Sequence, residues 1–240
     1  MKKLPSAPRY QWKPFSYHID GGFGAIGNAF KEAASRLEKQ AKSKPFYNSS
    51  LPIAYLHRHA SELLLKSCVV VIHRGLKVPF GNKVGGGQPA IKVAKDWVAI
   101  NRVHSIGDLY RYFTSLVREH MKKLSELTIF DWSTIPQELE QCISQIEEFD
   151  KKSTFFRYPG SGNEVKADFK ESSVAEIWAS MAPDKKPVKG FLELDENDRI
   201  IAAYCLDPSR LQPILETLRK TSETLDTLHF ALRSELGNGN

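Results

Sequence analysis

Four stretches of this sequence carry side chains whose types and spacing suggest chemistry. The densest is His57-Arg58-His59, followed by Glu62 and Lys66. Arg58, Glu62 and Lys66 are successive four-residue neighbours, so on a helix they line one face, with His59 beside them. Two readings stand. One is a surface ion-pair ladder, stabilising the helix by about 0.2–0.5 kcal/mol per pair. The other is a partly covered polar site in which Arg58 clamps an anion and a histidine exchanges protons near neutral pH. His57 and His59 point away from each other on a helix, and no carboxylate completes a familiar ligand spacing, so no metal and no cofactor is expected.

The second stretch, His104-Ser105-Ile106-Gly107-Asp108-Leu109, puts a histidine just before a helix start. Exposed backbone N–H groups there attract anions, so His104 and Asp108 either orient a phosphate or fix the connection between two helices. The third, Phe155-Phe156-Arg157-Tyr158-Pro159, surrounds Arg157 with aromatic rings that stack on a guanidinium or on bases, or simply pack a loop. Asp150 and Ser153 stand close enough upstream for one of them to pair with Arg157. The fourth, Gly22-Phe23-Gly24-Ala25-Ile26-Gly27, has the glycine spacing of dinucleotide-binding loops. Its context favours a loop leading into a helix, because Ser16 to Asp20 is a poor buried strand and no acidic residue follows about 20 positions on.

Helices must position these groups. Phe23, Ile26, Phe30, Ala34, Leu37 and Ala41 recur at three- and four-residue spacing, and Pro45 closes that helix. Leu51 to Arg74 is the most apolar helix and stops at Gly75. A loop with Pro79, Gly81 and Gly85 to Gly87 follows, where mobility is expected. Ser105 caps a third helix whose apolar stripe runs from Ile106 to Leu127, with Arg111, Arg118 and Lys122 on its other face. A fourth starts near Pro136 and carries Leu139, Cys142, Ile143, Ile146 and Phe149. Between 160 and 206 the pattern changes to a loop, a short helix around Val174 to Met181, and a β-hairpin turning at Asp195 to Asp198. The last helix begins at Asp207-Pro208 and runs past Leu232. The expected fold is therefore mainly α: an up-and-down helical bundle, one domain over 1–240, with the 160–206 loop and hairpin inserted before the C-terminal helix.

Composition sets the outer limits. The chain has 240 residues, 41% hydrophobic and 26% charged, enough for one sizeable core and unlike a disordered or disulfide-scaffold chain. The net charge of +6 permits anionic partners such as nucleic acid without requiring them. Cys68, Cys142 and Cys205 are far apart in apolar segments and read as reduced core residues of an intracellular, cytoplasmic protein. No membrane span and no secretory leader is legible.

Taken in order, Tyr55 to Lys66, His104 to Leu109 and Asp150 to Pro159 resemble bacterial HEPN-like helical proteins. Those have an apolar helix of E-L-x-L-K type, an H-x-L-like start to the following helix, and in some members an F-R-Y-P loop. The similarity spans about Leu51 to Pro159. It implies an up-and-down bundle that commonly forms a homodimer, roles in antiviral defence, toxin–antitoxin and stress systems, and in many members metal-independent RNA cleavage. The family ribonucleases have an arginine and then a histidine separated by four to six residues on one helix. No arginine here has a histidine at that spacing; Arg58 meets Leu63, Leu64 and Leu65 instead. The expected function is thus a dimerising module that binds RNA or a protein partner. A ribonuclease is the alternative, with Arg58 and Arg157 clamping phosphate and His59 or His104 as acid and base. Glu62, Lys66, Asp108, Asp150 and Tyr158 are the expected supporting binding residues.

Overall fold

The most apolar stretch of the sequence becomes the axis of the molecule. In the computed structural model, which describes residues 14–43, 49–81, 89–150, 169–180, 190–206 and 211–237, every residue from Ala60 to His73 is buried. Helix α2, Ser50–Gly75, owes this to the apolar run Leu63–Leu65 and Cys68–Ile72, which spreads round most of the helix, and to other helices packed on it. It is packed by α1 (Phe23–Ser43), α3 (Ile106–Glu119) and the C-terminal α7 (Gln212–Leu236). Helix α5 (Gln137–Asp150) lies against α3 and α7. The core joins Leu64, Leu65, Cys68 and Val71 of α2 to Ile106, Leu109 and Phe113 of α3, Ile143 and Ile146 of α5, and Leu218, Leu225 and Leu228 of α7. Cys68, Cys142 and Cys205 are all free thiols, the first two buried. Among the described residues no helix is long and apolar enough to cross a membrane.

The protein is mainly helical, and it departs from the expected outline in four places. The third helix is broken: α3 ends at Glu119 and a short α4, Met121–Leu127, restarts after His120, whose φ and ψ of −108° and 17° leave the helical region. The apolar spacing runs straight through this break, so periodicity does not register it. A hairpin of β1 (Ala90–Val93) and β2 (Asp96–Ala99) occupies part of the expected loop, pairing Ala90 with Ala99 and Val93 with Asp96. Its turn places Ala94 at φ 53°, where glycine or asparagine would ordinarily announce it. The hairpin near the C-terminus gains a third strand: β3 (Phe169–Glu171) pairs with β5 (Ile200–Leu206), which pairs with β4 (Gly190–Leu194). Finally, the described part of the last helix begins at Gln212 rather than Asp207, with Pro213 in its first turn. Gly85 to Gly87 and Asp207-Pro208 lie outside the described residues.

Helix α6 (Val174–Ser180) sits beside the three-stranded sheet, opened by a capping box in which Ser173 and Glu176 exchange backbone bonds of 2.8 and 3.2 Å. The described residues of this sheet and α6 pack chiefly among themselves, and none of them joins the core cluster.

Candidate functional site

Arg58, Glu62 and Lys66 do line one face of α2, but that face is inside the protein. Their relative exposures are 2%, 1% and 2%, which overturns the surface-ladder reading. Glu62 is the hub. Its Oε1 accepts from Lys66 Nζ at 2.8 Å and lies 3.0 Å from His104 Nδ1; its Oε2 lies 3.4 Å from Arg58 Nη1. Arg58 also donates to the His104 carbonyl at 2.7 Å, and its Nε faces Asp150 Oδ2 of α5 at 3.5 Å. Lys66 reaches the Asn101 carbonyl at 3.5 Å. Burial alone would raise the Glu62 carboxyl, yet Lys66, Arg58 and His104 together hold it below the usual carboxylate range. Two cations meet two anions, and the cluster fastens α2 to α5 and to the segment leading into α3. The anion that Arg58 clamps belongs to the protein itself.

The same pattern recurs at two helix starts. Ser105 Oγ accepts from Asp108 N at 3.0 Å, the cap expected of it. The next free donor of α3, Gly107 N, donates at 3.0 Å to Glu147 Oε1 of α5, while Ser105 Oγ lies 3.3 Å from Oε2. The carboxylate presses so close that a Cβ on Gly107 would sit 2.8 Å from it. The phosphate position imagined at this helix start is filled by Glu147. At α1 the glycine-rich string does form the loop leading into a helix. Asp20 takes Gly22 N at 2.8 Å, Gly24 N at 2.6 Å and Ser67 Oγ at 2.6 Å. Gly22 needs its φ of 94° to make this turn, and a Cβ on Gly24 would strike His229 and stand 2.7 Å from Asp20 Oδ2. Burial acts to raise the Asp20 carboxyl, but these hydrogen bonds and His229 outweigh it and lower it.

A third polar group crosses from α2 to α7. His57 Nδ1 lies 2.8 Å from Ser222 Oγ, whose hydroxyl donates to the Arg219 carbonyl at 2.9 Å. A hydroxyl has one proton to give, so the ring proton sits on Nδ1. Nε2 then faces Glu38 Oε1 at 3.4 Å. Burial first, then Arg219 and Lys31, push the His57 imidazole down to about 4, and burial raises the Glu38 carboxyl. Glu38 also lines a cleft of about 350 Å³ with Lys42, Ser49, Ser50, Gln212 and Arg219, a cleft that buried Ser222 does not line.

The remaining expected site residues do not join one pocket. His59 turns toward α1, edge-on to Phe30 at 4.7 Å and stacked on Tyr55 at 5.7 Å, whereas Arg58 faces α3 and α5. His59 and His104 are therefore on different sides of α2 and do not form an acid–base pair. Asp108 pairs with Arg111 on the exterior. Arg118 and Lys122 are exposed on the same stripe. Arg157, Tyr158 and Ser153 lie outside the described residues. Of the expected set, the structure brings together Arg58, Glu62, Lys66, His104 and Asp150.

Sequence reasoning missed Asp20, Ser67, His229, Glu147, Glu38 and Ser222. Small hydroxyls at Ser61 and Ser67, inside an otherwise apolar helix, were the one available signal, because a buried hydroxyl needs a partner. Among the described residues no group of three or more histidines, cysteines or acids is placed to hold a metal ion. Comparison with protein-family models, with curated proteins and with solved structures finds no match to this chain.

Proposed function

We propose that the protein is a HEPN-like helical module that acts, as a homodimer, by binding a partner rather than by cutting RNA. One observation carries this reading: among the described residues, Arg58, Lys66 and the start of α3, which spacing offered to a phosphate, are neutralised by the protein's own carboxylates. Arg58 and Lys66 are committed to Glu62 and Asp150, and the start of α3 to Glu147. Metal-free cleavage needs a base at the 2′-hydroxyl and a cation at the phosphate, both in reach of substrate. A guanidinium that is 2% exposed and already faced by two carboxylates does not supply the second. Partner binding in a defence or stress setting asks only for a stable scaffold with a free surface, which a neutralised interior leaves intact.

Among the described residues, the endoribonuclease alternative draws on His104. Its side chain is 48% exposed while its Nδ1 is held by Glu62, the arrangement of an oriented acid–base group. Incubating the full chain with end-labelled RNA in EDTA separates the two readings. Intact RNA at high protein concentration is expected. Cleavage that disappears in His104→Ala would overturn the proposal and establish the alternative.

A further inference from the structure

The sheet β3–β5–β4 leaves β3 and β4 as edges among the described residues. Exposed edges are normally defended by lysine, proline or a bulge, because unpaired backbone groups invite another strand. β4, Gly190-Phe191-Leu192-Glu193-Leu194, has neither lysine nor proline. The register shift leaves Ile201 as the extra residue, on the central strand β5 and not on this edge. The described part of β3, by contrast, is three residues long.

The face beside this edge is covered by α6 at its Gly190 end, where Ala203 is buried and Ile177 stands 3.8 Å from a Cβ built on Gly190, and is apolar and half exposed toward the turn. Leu192 pairs with Ala203 and Leu194 with Ile200, and paired residues share a face. Leu192, Leu194 and Ile200 are 42%, 48% and 44% exposed. The hairpin carries four acids, Glu193 on the opposite face and Asp195, Glu196 and Asp198 at the turn, against Arg199 alone, within a chain whose net charge is +6.

We propose that β4 and this face take up an extended, basic segment of a partner protein, which adds to the sheet as a further strand. Its apolar residues, every second one, would lie beside Leu192 and Leu194, and its lysines or arginines would meet the acids of the hairpin. This inference rests on the reading of the chain as a binding module and identifies the surface that binds.

The probe is a fluorescent nine-residue peptide alternating valine with lysine, titrated into the full chain and read by anisotropy. It is expected to bind about tenfold or more tighter than a block-order peptide of the same composition or one with glutamate for lysine. Leu194→Lys, with an unchanged circular dichroism spectrum, is expected to weaken binding about tenfold or more. Should that variant unfold, Glu196→Lys in the turn is expected to weaken binding by charge alone. Equal binding of all three peptides, or binding untouched by both substitutions, overturns the inference. So does a sedimentation dimer that Leu194→Lys abolishes, since the face would then belong to a second copy. The RNA assay keeps the two proposals apart: peptide failure with intact RNA sinks only this surface, and RNA cleavage with peptide bound sinks only the non-catalytic reading.

Discussion

Around α2 the charges of this protein face inward onto one another, whereas in the β3–β5–β4 sheet its apolar side chains face outward. Each region inverts the ordinary division of polar surface and apolar core, for different reasons. Inside the bundle, desolvating Arg58, Lys66, Glu62 and Asp150 is tolerated because each lies within 3.5 Å of an opposite charge. On the sheet, Leu192, Leu194 and Ile200 remain half uncovered although a large core lies elsewhere in the same chain. Buried charge therefore marks where the fold is held, and exposed apolar surface marks where something else is to be bound.

Breaking the inner region carries the largest expected effect. Glu62→Ala leaves Lys66 and Arg58 buried beside a missing carboxylate and is expected to cost about 3–5 kcal/mol in urea unfolding. Leu194→Ser on the sheet is expected to change the same measurement by no more than about 0.5 kcal/mol. Equal losses from the two would erase the distinction.

Next in size is Gly24→Ala, which forces a Cβ onto His229 and Asp20 and is expected to cost about 1–3 kcal/mol. Lost thermal stability without change in peptide binding would sharpen the contrast, because this turn supports only the bundle.

Acidity acts on the bundle as well. His57 and His229 are both held neutral, burial pushing each down to about 4 from 6.5. A histidine depressed in the folded state takes its proton more readily when unfolded, so its contribution is full above pH 6.5 and declines as pH falls from there to about 4. Asp20 and Glu62, lowered on folding, contribute above their ordinary values and lose that contribution as pH falls through the folded ones. All four signs agree. Melting temperature is expected to fall steadily below pH 6.5, less steeply in His57→Phe. A flat profile between pH 6.5 and 4 would contradict these environments.

The smallest effect is expected on the outer stripe. Lys122→Ala should leave stability within about 0.5 kcal/mol of the parent chain, measured by urea unfolding.

How much of this was legible is best seen residue by residue. Four-residue spacing places Arg58, Glu62 and Lys66 on one face, and it does so correctly, because helix geometry is local. Burial is not local: whether that face meets water depends on α3 and α5, which lie about 40 to 90 positions away in sequence. For the same reason Ser105 was readable as a cap, and Glu147, which completes the cap from another helix, was not. The β4–β5 turn was readable because Asp195 bonds the backbone of Asn197 and Arg199, the common chemistry of an Asp turn. The β1–β2 turn, made with Ala94, carries no such mark. The inferred binding face was half legible: the hairpin and its acids stand in the sequence, but that β4 is an edge among the described residues appears only once the strand order is known.

The central claim is that Glu62 and its cations serve the fold as one coupled unit. A double-mutant cycle on Glu62→Gln and Lys66→Met, followed by urea unfolding of the full chain, tests it most directly. Coupling of about 1 kcal/mol or more is expected, the double variant losing less than the two single losses combined. Losses that add to within about 0.5 kcal/mol, in proteins that remain folded, would contradict it.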